Sequence, residues 1–258
     1  MPRGSAPRVA TTLRTDVDFR GYSEWKAWSA ESFGAYTPET AAYYDAELAR
    51  TGLTAGRAPD VLELGFGNGG FAGWARSKGF EYVGIEAIPE LVSRGEAEGF
   101  RVYEADSAWT LNGLGHDSLD LVVAFDVLEH MELADVESLL DSIRAALRPG
   151  GRLLARVPSG DSPFGRASHH GDLTHRLALG SSAVRQLAGR HGFEVDDIGP
   201  PRMPLRGVGI RRAARRAVLL FVQKVIGRII NVAFHHNQPL VVTSSLVFVL
   251  RKPRIAGR

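Results

Sequence analysis

The chain has 258 residues, of which 44% are hydrophobic and 23% are charged, and these values exclude wholesale disorder. Its 31 basic and 29 acidic side chains nearly cancel, yet no Asp or Glu follows Asp197, and residues 198–258 carry 12 Lys and Arg side chains. The absence of cysteine excludes disulfides and thiolate chemistry, and Met1–Arg8 lacks the apolar core of a signal peptide. We therefore expect a cytoplasmic protein with an acidic globular body and a basic C-terminal quarter.

The first 58 residues are rich in aromatic side chains, eight of which lie between Phe19 and Tyr44, mostly at helical spacing. We expect residues 1–58 to form an N-terminal helical cap. Its aromatic side chains are suited either to the core of the helices or to stacking on a sugar ring. Residues 59–258 are then expected to form a single domain with an insert at 200–242.

From residue 60 onward, short apolar runs alternate with helical stretches. The pattern predicts helices at 70–77, 133–147 and 181–191, and strands at 60–64, 82–86, 101–104, 119–125, 152–157, 193–198 and 243–250. Strands that alternate with helices favour an α/β fold with a parallel sheet that is covered on both faces.

A glycine-rich turn, Glu63–Gly70, separates the first predicted strand from the first of these helices. Glycines at this position allow a sharp turn and a close approach of a ligand to the backbone, while the helix N-terminus offers free N–H groups to an anion. Gly65, Gly67 and Gly70 also satisfy the G-x-G-x-x-G pattern of dinucleotide-binding turns. By itself, the turn is equally compatible with a strand–helix connection that binds nothing.

Further motifs stand at the ends of the following strands. Glu86 ends the second strand, 21 residues after the first glycine, where a carboxylate can accept both hydroxyls of a ribose. Asp106 and Ser107 follow the third strand, where they can reach an adenine edge. The sequence F-D-V-L-E-H at 125–130 ends the fourth strand, and L-R-P-G-G at 147–151 precedes the fifth.

Taken together with E-L-G-x-G-x-G at the first turn, these motifs resemble those of class I S-adenosylmethionine (SAM)-dependent methyltransferases over about residues 58–198. The resemblance implies a Rossmann-like seven-stranded, mostly parallel sheet with helices on both faces and an antiparallel last strand. It implies SAM as the cofactor, bound through Glu63, Gly65, Gly67, Gly69, Glu86, Asp106, Ser107 and Phe125. The alternatives are an NAD-dependent oxidoreductase, although no downstream segment resembles a hydride-transfer substrate domain, and a SAM-binding domain without catalysis.

Candidate catalytic residues must lie at the carboxyl ends of the strands, where open α/β sheets bind ligands. They are His130, His169, His170, Asp172 and His175. A histidine in this set could be the base that a hydroxyl acceptor needs, and the loop residues could instead donate to a sugar, ligate a metal or merely order the loop. Their spacings match no standard metal-ligand pattern, so we expect no metal ion.

The loop itself gives a clue to the acceptor. The stretch from Ser162 to His175 resembles a loop of methyltransferases that modify sugars in polysaccharide or O-antigen biosynthesis, although Leu177-Ala178-Leu179 departs from the Ala-Phe-Thr expected there. This resemblance implies a small-molecule acceptor that contains a sugar, methylated on a hydroxyl of the sugar or glycoconjugate. A natural-product or lipid-type C-, N- or O-methyltransferase is the alternative.

The insert at 200–242 carries eight of the late basic residues. On a helical wheel, apolar residues from Val218 to Val232 share one face, and Arg216, Lys224 and Arg228 share the opposite stripe. In the fold implied above, this insert leaves and re-enters at the carboxyl edge of the sheet. Four roles fit: packing on its own domain, contact of 206–236 with an anionic membrane or lipid-linked substrate, a homodimer interface, and contact with a substrate phosphate. Nucleic acid is not expected, because no aromatic residue interleaves with the arginines.

Overall fold

The computed structural model describes residues 19–53, 58–105, 111–235 and 240–254. In this part of the chain one sheet contains seven strands, β1 Asp60–Leu64, β2 Glu81–Glu86, β3 Val102–Glu104, β4 Leu119–Phe125, β5 Leu147–Pro158, β6 Glu194–Gly199 and β7 Ser245–Arg251. Their order is β3-β2-β1-β4-β5-β7-β6. Strands β1 to β5 pair in parallel, whereas β7 runs antiparallel to both β5 and β6. The predicted Rossmann-like sheet with an antiparallel last strand is confirmed.

Eight α-helices accompany the strands in the described residues: α1 Tyr22–Trp25, α2 Pro38–Leu48, α3 Gly70–Ser77, α4 Pro89–Ala97, α5 Leu133–Ala146, α6 Arg166–His170, α7 Ser181–Arg190 and α8 Ile210–Phe234. Short 3₁₀ turns lie at Ala30–Ser32, Ala49–Thr51, Leu111–Leu114 and Leu128–His130. The predicted helix and strand positions agree with these to within a few residues, except at the start of β5.

The L-R-P-G-G segment at 147–151, which was expected to precede the fifth strand, is part of β5. Helix α5 ends at Ala146, and the strand begins with the next residue, Leu147, which pairs with Leu119 of β4 before the register shifts. The chain leaving β7 continues the pairing, since the Gly150 N–H donates to the Lys252 carbonyl at 2.8 Å. Pairing on both sides therefore draws the Pro-Gly-Gly segment into the sheet.

Both faces of the sheet are covered, which is why its central strands are apolar on both sides. On one face α5 and α7 pack on the strands, with Leu139, Ile143 and Val184 in the core. On the other face α2 and α3 bring Tyr44 and Trp74 against the sheet. Two buried layers of this kind fix the position of every strand end.

The carboxyl ends of β1 and β4 lie side by side, although these strands are far apart in the sequence. This is the point at which the strand order reverses direction, and open α/β sheets bind their ligands in the crevice that forms there. The glycine turn after β1 and the F-D-V-L-E-H segment after β4 therefore face each other across one crevice.

Residues 19–53 cover this crevice. The Gly34 N–H donates to the Asn68 carbonyl at 2.8 Å, and a Cβ on Gly73 would lie 1.9 Å from the Gly34 oxygen, so the two backbones touch. At the far end of α2, Arg50 forms ion pairs with the buried Glu47 and with Asp197 of β6. These contacts attach the N-terminal segment to the sheet, while the division into 1–58 and 59–258 stays a prediction.

Helix α8 leaves and re-enters at the carboxyl edge, as expected, but it does not pack its apolar face on the domain. Among its residues only Gly227 is buried, against Val242. Its contacts with the body come from the polar side, where Arg216 donates to the Pro204 carbonyl at 2.7 Å and pairs with Glu39. The apolar face is left exposed. By length and composition alone, α8 could cross a membrane.

Candidate active site

A cavity of about 540 Å³ lies in the crevice between the strand ends and the N-terminal segment. The strand ends and the glycine turn form one wall, with Glu63, Gly65, Gly67, Glu86, Phe125 and His130 among its lining residues. Residues of the N-terminal segment form the opposite wall, among them Tyr22, Trp28, Tyr43 and Tyr44. A concave site of this size, largely apolar with a few polar groups, is typical of small-molecule binding.

The glycine turn is shaped by its neighbours. Gly65, Gly67 and Gly69 all have positive φ, at 65°, 53° and 72°. A Cβ on Gly65 would lie 2.5 Å from Val127, and one on Gly67 would lie 2.9 Å from the Trp28 ring. Helix α3 begins directly after the turn without a side-chain cap, so its first N–H groups are available to an anion.

Glu86 is buried at the end of β2 and is tied to the turn. Its Oε2 accepts from the Gly67 N–H at 2.9 Å, and its Oε1 accepts from the N–H groups of Ala87 at 2.7 Å and Ile88 at 3.2 Å. Burial raises the pKa of this carboxyl, and the three N–H donors oppose that rise. Because a carboxylate has about four acceptor positions, these three donors leave an acceptor position open for a ribose hydroxyl, and the predicted contact with the ribose stays a prediction.

Glu63 and Phe125 both line the cavity. Glu63 is buried and accepts from the Tyr82 hydroxyl at 2.7 Å, and burial raises the pKa of its carboxyl well above the usual range. Phe125 stacks on Tyr44 with a centroid distance of 6.1 Å and an interplanar angle of 8°. Asp106 and Ser107 lie outside the described residues, so their predicted contact with the adenine stays a prediction.

A polar group in the cavity wall was not predicted. Asp126 follows β4 with a φ of 57°, unusual for a residue other than glycine, and accepts from Nε of Arg156 at 2.9 Å. Arg156 also donates to the Tyr43 hydroxyl at 2.9 Å. The signal available in the sequence was Arg156, which interrupts the apolar run at the end of β5 from Leu153 to Pro158.

His130 is the one predicted catalytic histidine that lines the cavity. Its Nδ1 lies 2.8 Å from Oγ1 of Thr174, and that hydroxyl donates to Oδ1 of Asp172 at 2.5 Å. Thr174 can therefore only accept from His130, so Nδ1 carries the proton and Nε2 is unprotonated in the neutral ring. Burial, together with the nearby His175, lowers the pKa of His130 to about 4.

The other loop residues lie behind His130 and do not line the cavity. The His175 ring contacts the His130 ring with centroids 4.7 Å apart, and Asp172 also accepts from the Tyr22 hydroxyl at 3.2 Å. His169 contacts His175 with centroids 5.6 Å apart, while His170 contacts His169 and is one step further away. The structure therefore brings His130, Asp172 and His175 together and leaves His169 and His170 at the periphery.

Glu129 completes this group, and sequence reasoning assigned it no role. Its carboxylate is buried beside His175, and neither oxygen has a hydrogen-bond partner in the described part of the chain. Burial raises the pKa of Glu129 well above the usual range, and the negative charge of Asp126 raises it further. The feature of the sequence that could have indicated a role for Glu129 was its place in the F-D-V-L-E-H motif.

The cavity fits S-adenosylmethionine. Three glycines form a cradle that any Cβ would fill, the N-terminus of α3 suits the methionine carboxylate, and the open acceptor position of Glu86 suits a ribose hydroxyl. Phe125 and Tyr44 line the same cavity, and their rings stack on each other.

Comparison with known proteins agrees with this geometry. Residues 36–198 match the family model described as a methyltransferase domain. An uncharacterized methyltransferase from Mycobacterium sp. (strain KMS) is 31% identical over 164 residues, 63% of each chain, so the alignment spans less than two thirds of that relative. One from Mycobacterium avium (strain 104) is 32% identical over 195 residues, 72% of each chain. The crystal structure of a SAM-dependent methyltransferase from Archaeoglobus fulgidus superimposes with a TM-score of 0.61 at 17% identity, covering 91% of this chain and 99% of that one.

The fold is that of Rossmann-like SAM-dependent methyltransferases. The chain belongs to the methyltransferase domain family, because the family model covers well over half of it. The predicted enzyme class and the predicted cofactor are thus confirmed. The alternative prediction, an NAD-dependent oxidoreductase, is not supported. The descriptions of the mycobacterial relatives specify no acceptor.

Proposed function

We propose that this protein transfers a methyl group from S-adenosylmethionine to a hydroxyl of a small acceptor, a sugar or a glycoconjugate. The observation that carries the proposal is the position of His130, an imidazole with a free Nε2 in the wall of the cavity that suits the cofactor. A hydroxyl needs a proton acceptor to attack a methyl sulfonium at neutral pH, whereas an amine does not need one to the same degree.

The bound cofactor supplies an electrophilic methyl group on sulfur. Nε2 of His130 accepts the hydroxyl proton while the acceptor oxygen forms its bond to the methyl carbon. The carbon–sulfur bond breaks, its electron pair stays on sulfur, and the products are the methyl ether and S-adenosylhomocysteine. Thr174 and Asp172 hold the imidazole in the required tautomer. Alignment of oxygen, carbon and sulfur is the remaining requirement for transfer.

Two features support a sugar as the acceptor. The loop that resembles those of sugar methyltransferases supplies Asp172, Thr174 and His175, which lie directly behind His130. Aromatic rings of the N-terminal segment, Tyr22 and Trp28, line the cavity, and flat rings of this kind stack on the apolar faces of sugars.

The test combines calorimetric SAM binding with release of S-adenosylhomocysteine in the presence of nucleotide sugars and lipid-linked sugars. His130→Ala should lower turnover by about 10² to 10⁴ while SAM affinity is retained, because the base acts only in the chemical step. His170→Ala is the matched control from the same region. Unchanged turnover in His130→Ala would contradict the assignment, and SAM binding without transfer to any acceptor offered would favour a non-catalytic domain.

We propose in addition that α8 binds an anionic membrane surface and presents the enzyme to a lipid-linked acceptor. Its outward face is apolar, with Phe221 68% exposed and Ile229 59% exposed, and it contains no acidic residue. The helix begins with Arg211 and Arg212, charges that suit anionic lipid head groups. This outward orientation favours a lipid over packing on the domain.

Flotation with phosphatidylcholine vesicles, with and without phosphatidylglycerol, tests this second proposal. The protein should float with the anionic vesicles, and Phe221→Asp combined with Ile229→Asp should abolish flotation because two charges enter the apolar face. Leu133→Asp, an exposed apolar residue of α5, is the control. Absence of flotation together with dimers that the double variant converts to monomers would overturn the proposal in favour of a homodimer interface.

A further inference from the structure

The Glu129 carboxylate is the most conspicuous unsatisfied group among the described residues. It is 1% exposed, and both of its oxygens lack a hydrogen-bond partner. A buried carboxylate without a partner is costly, because it loses its hydration and receives nothing in return. A group of this kind at the edge of a catalytic cavity indicates that a ligand binds to it.

Two histidines beside Glu129 each keep one unprotonated ring nitrogen. The Nδ1 of His175 lies 3.0 Å from the carbonyl oxygen of His169, which can only accept, so this nitrogen carries the proton and Nε2 does not. The same argument, through Thr174, leaves Nε2 of His130 unprotonated. One ring nitrogen from each histidine and one oxygen of Glu129 lie within 4.8 Å of one another, and Nε2 of His175 is 4.0 Å from Oε1 of Glu129.

The partners of the Nδ1 atoms match those of metal-bound imidazoles. A ligating histidine usually donates its other N–H to a backbone carbonyl or to a carboxylate system, which fixes the ring and the tautomer. His175 donates to a carbonyl, and His130 donates to Thr174, whose hydroxyl is in turn held by Asp172. Both rings are therefore already oriented as ligands would be.

We propose that Glu129, His130 and His175 form a binding site for a divalent transition-metal cation of the Zn²⁺ type. Two imidazoles and one carboxylate are ligands that Zn²⁺ and its neighbours accept, whereas Mg²⁺ prefers oxygen ligands and several waters. Bonds of about 2.0 to 2.2 Å require ligand atoms about 3.3 Å apart, so the three side chains close by about one ångström around the ion.

The ion changes how the acceptor is activated, and this consequence rests on the proposed function. With the ion bound, Nε2 of His130 is a ligand and no longer accepts a proton. If the acceptor hydroxyl bound to such an ion, the cation would lower the pKa of the hydroxyl, and the proton would pass to solvent. The bond to the methyl carbon and the departure of the electron pair on sulfur are unchanged.

The sequence did not predict this site because its members are distributed over two segments. Glu129 and His130 are adjacent in a 3₁₀ turn after β4, and His175 lies in the loop before α7. Sequence spacing identifies metal sites whose ligands share one short segment, whereas here the packing of the loop on the turn brings the ligands together. Backbone N–H groups of Arg176 and Leu177 donate to the Glu129 carbonyl at 2.7 and 3.1 Å and hold that packing.

The experiment measures metal binding without turnover, so its failure is distinct from failure of the methyl-transfer proposal. Untagged protein is stripped with a chelator, dialysed against Zn²⁺, Mn²⁺ or Mg²⁺, and analysed for bound metal by mass spectrometry. Co²⁺ is added to a separate sample to record its visible absorption spectrum. We expect one Zn²⁺ per chain, little retained Mg²⁺, and the intense visible bands of low-coordinate Co²⁺.

Substitutions at the proposed ligands test where the ion binds. Glu129→Gln and His175→Ala should lose stoichiometric Zn²⁺, and Thr174→Val should weaken binding by about 10- to 100-fold because it removes the support of His130. His170→Ala, outside the cluster, should bind Zn²⁺ as the unaltered chain does. Thermal melts establish that each variant is folded. If a ligand variant does not fold, the Co²⁺ spectrum of the unaltered chain and its loss in Thr174→Val decide.

Two results would overturn the proposal. One is the absence of stoichiometric Zn²⁺ together with a Co²⁺ spectrum identical to that of the free ion. The other is Zn²⁺ binding that Glu129→Gln and His175→Ala leave unchanged. Turnover that survives the chelator while Zn²⁺ binds would confirm the site and return the activation step to His130 as a base.

Discussion

Replacement of Gly67 by alanine tests the link between the N-terminal segment and the cofactor site. The residue has a φ of 53°, so a side chain there costs about 1 to 2 kcal/mol in backbone strain. The new Cβ would also lie 2.9 Å from the Trp28 ring, short of the ordinary carbon–carbon separation of about 3.5 Å. The ring or the turn must therefore move, and the hydrogen bond from Gly67 to Glu86 moves with the turn.

Gly79→Ala is the matched control. Gly79 has a φ of 73°, so its substitution carries similar strain, but a Cβ there would meet no atom within 4 Å. Gly79→Ala should therefore lose about 1 to 2 kcal/mol of stability, which lowers Tm by about 2 to 8 °C in a domain of this size, and Gly67→Ala should lose at least as much because its Cβ also meets Trp28. Only Gly67→Ala should weaken SAM binding, by about tenfold or more, because only that change displaces the cavity wall.

Calorimetric titration of SAM and thermal melts of the three proteins measure these effects. SAM affinity that is equal in Gly67→Ala and the unaltered chain would refute the reasoning, since it would mean that the turn and Trp28 do not enclose the cofactor. Equal weakening in both variants would refute it as well, because the effect would then follow backbone strain rather than the cavity.

The remaining predictions concern stability. Glu47→Ala removes one of the two carboxylates that pair with the buried Arg50, while Asp197 remains, and should cost about 1 to 3 kcal/mol in urea unfolding. Trp74→Ala removes a fully buried indole between α3 and the sheet and should cost about 3 to 5 kcal/mol in the same measurement. Tyr43→Phe removes an acceptor for Arg156 and should cost about 1 to 3 kcal/mol. Losses below about 1 kcal/mol in the first two variants would contradict the burial on which they depend.

The sheet and the glycine turn followed directly from the sequence. Central strands buried on both faces are mostly apolar, and the runs at β1 and β4 have that composition. A turn with three positive φ angles requires glycine, so Gly65, Gly67 and Gly69 identified both the turn and its place at the start of α3. These features depend on the side chains and the backbone preferences of neighbouring residues, which can be read from a single sequence.

The orientation of α8 and the cluster around Glu129 were decided by tertiary structure. A helical wheel gives the apolar face of α8 but not what that face meets, and the contacts of Arg216 with Glu39 turn it outward. Glu129 and His175 come together because a loop packs on the end of β4. Composition and periodicity determined the elements and the cofactor turn, whereas side chains from distant segments acquire a shared chemistry only when folding removes them from water and places them side by side.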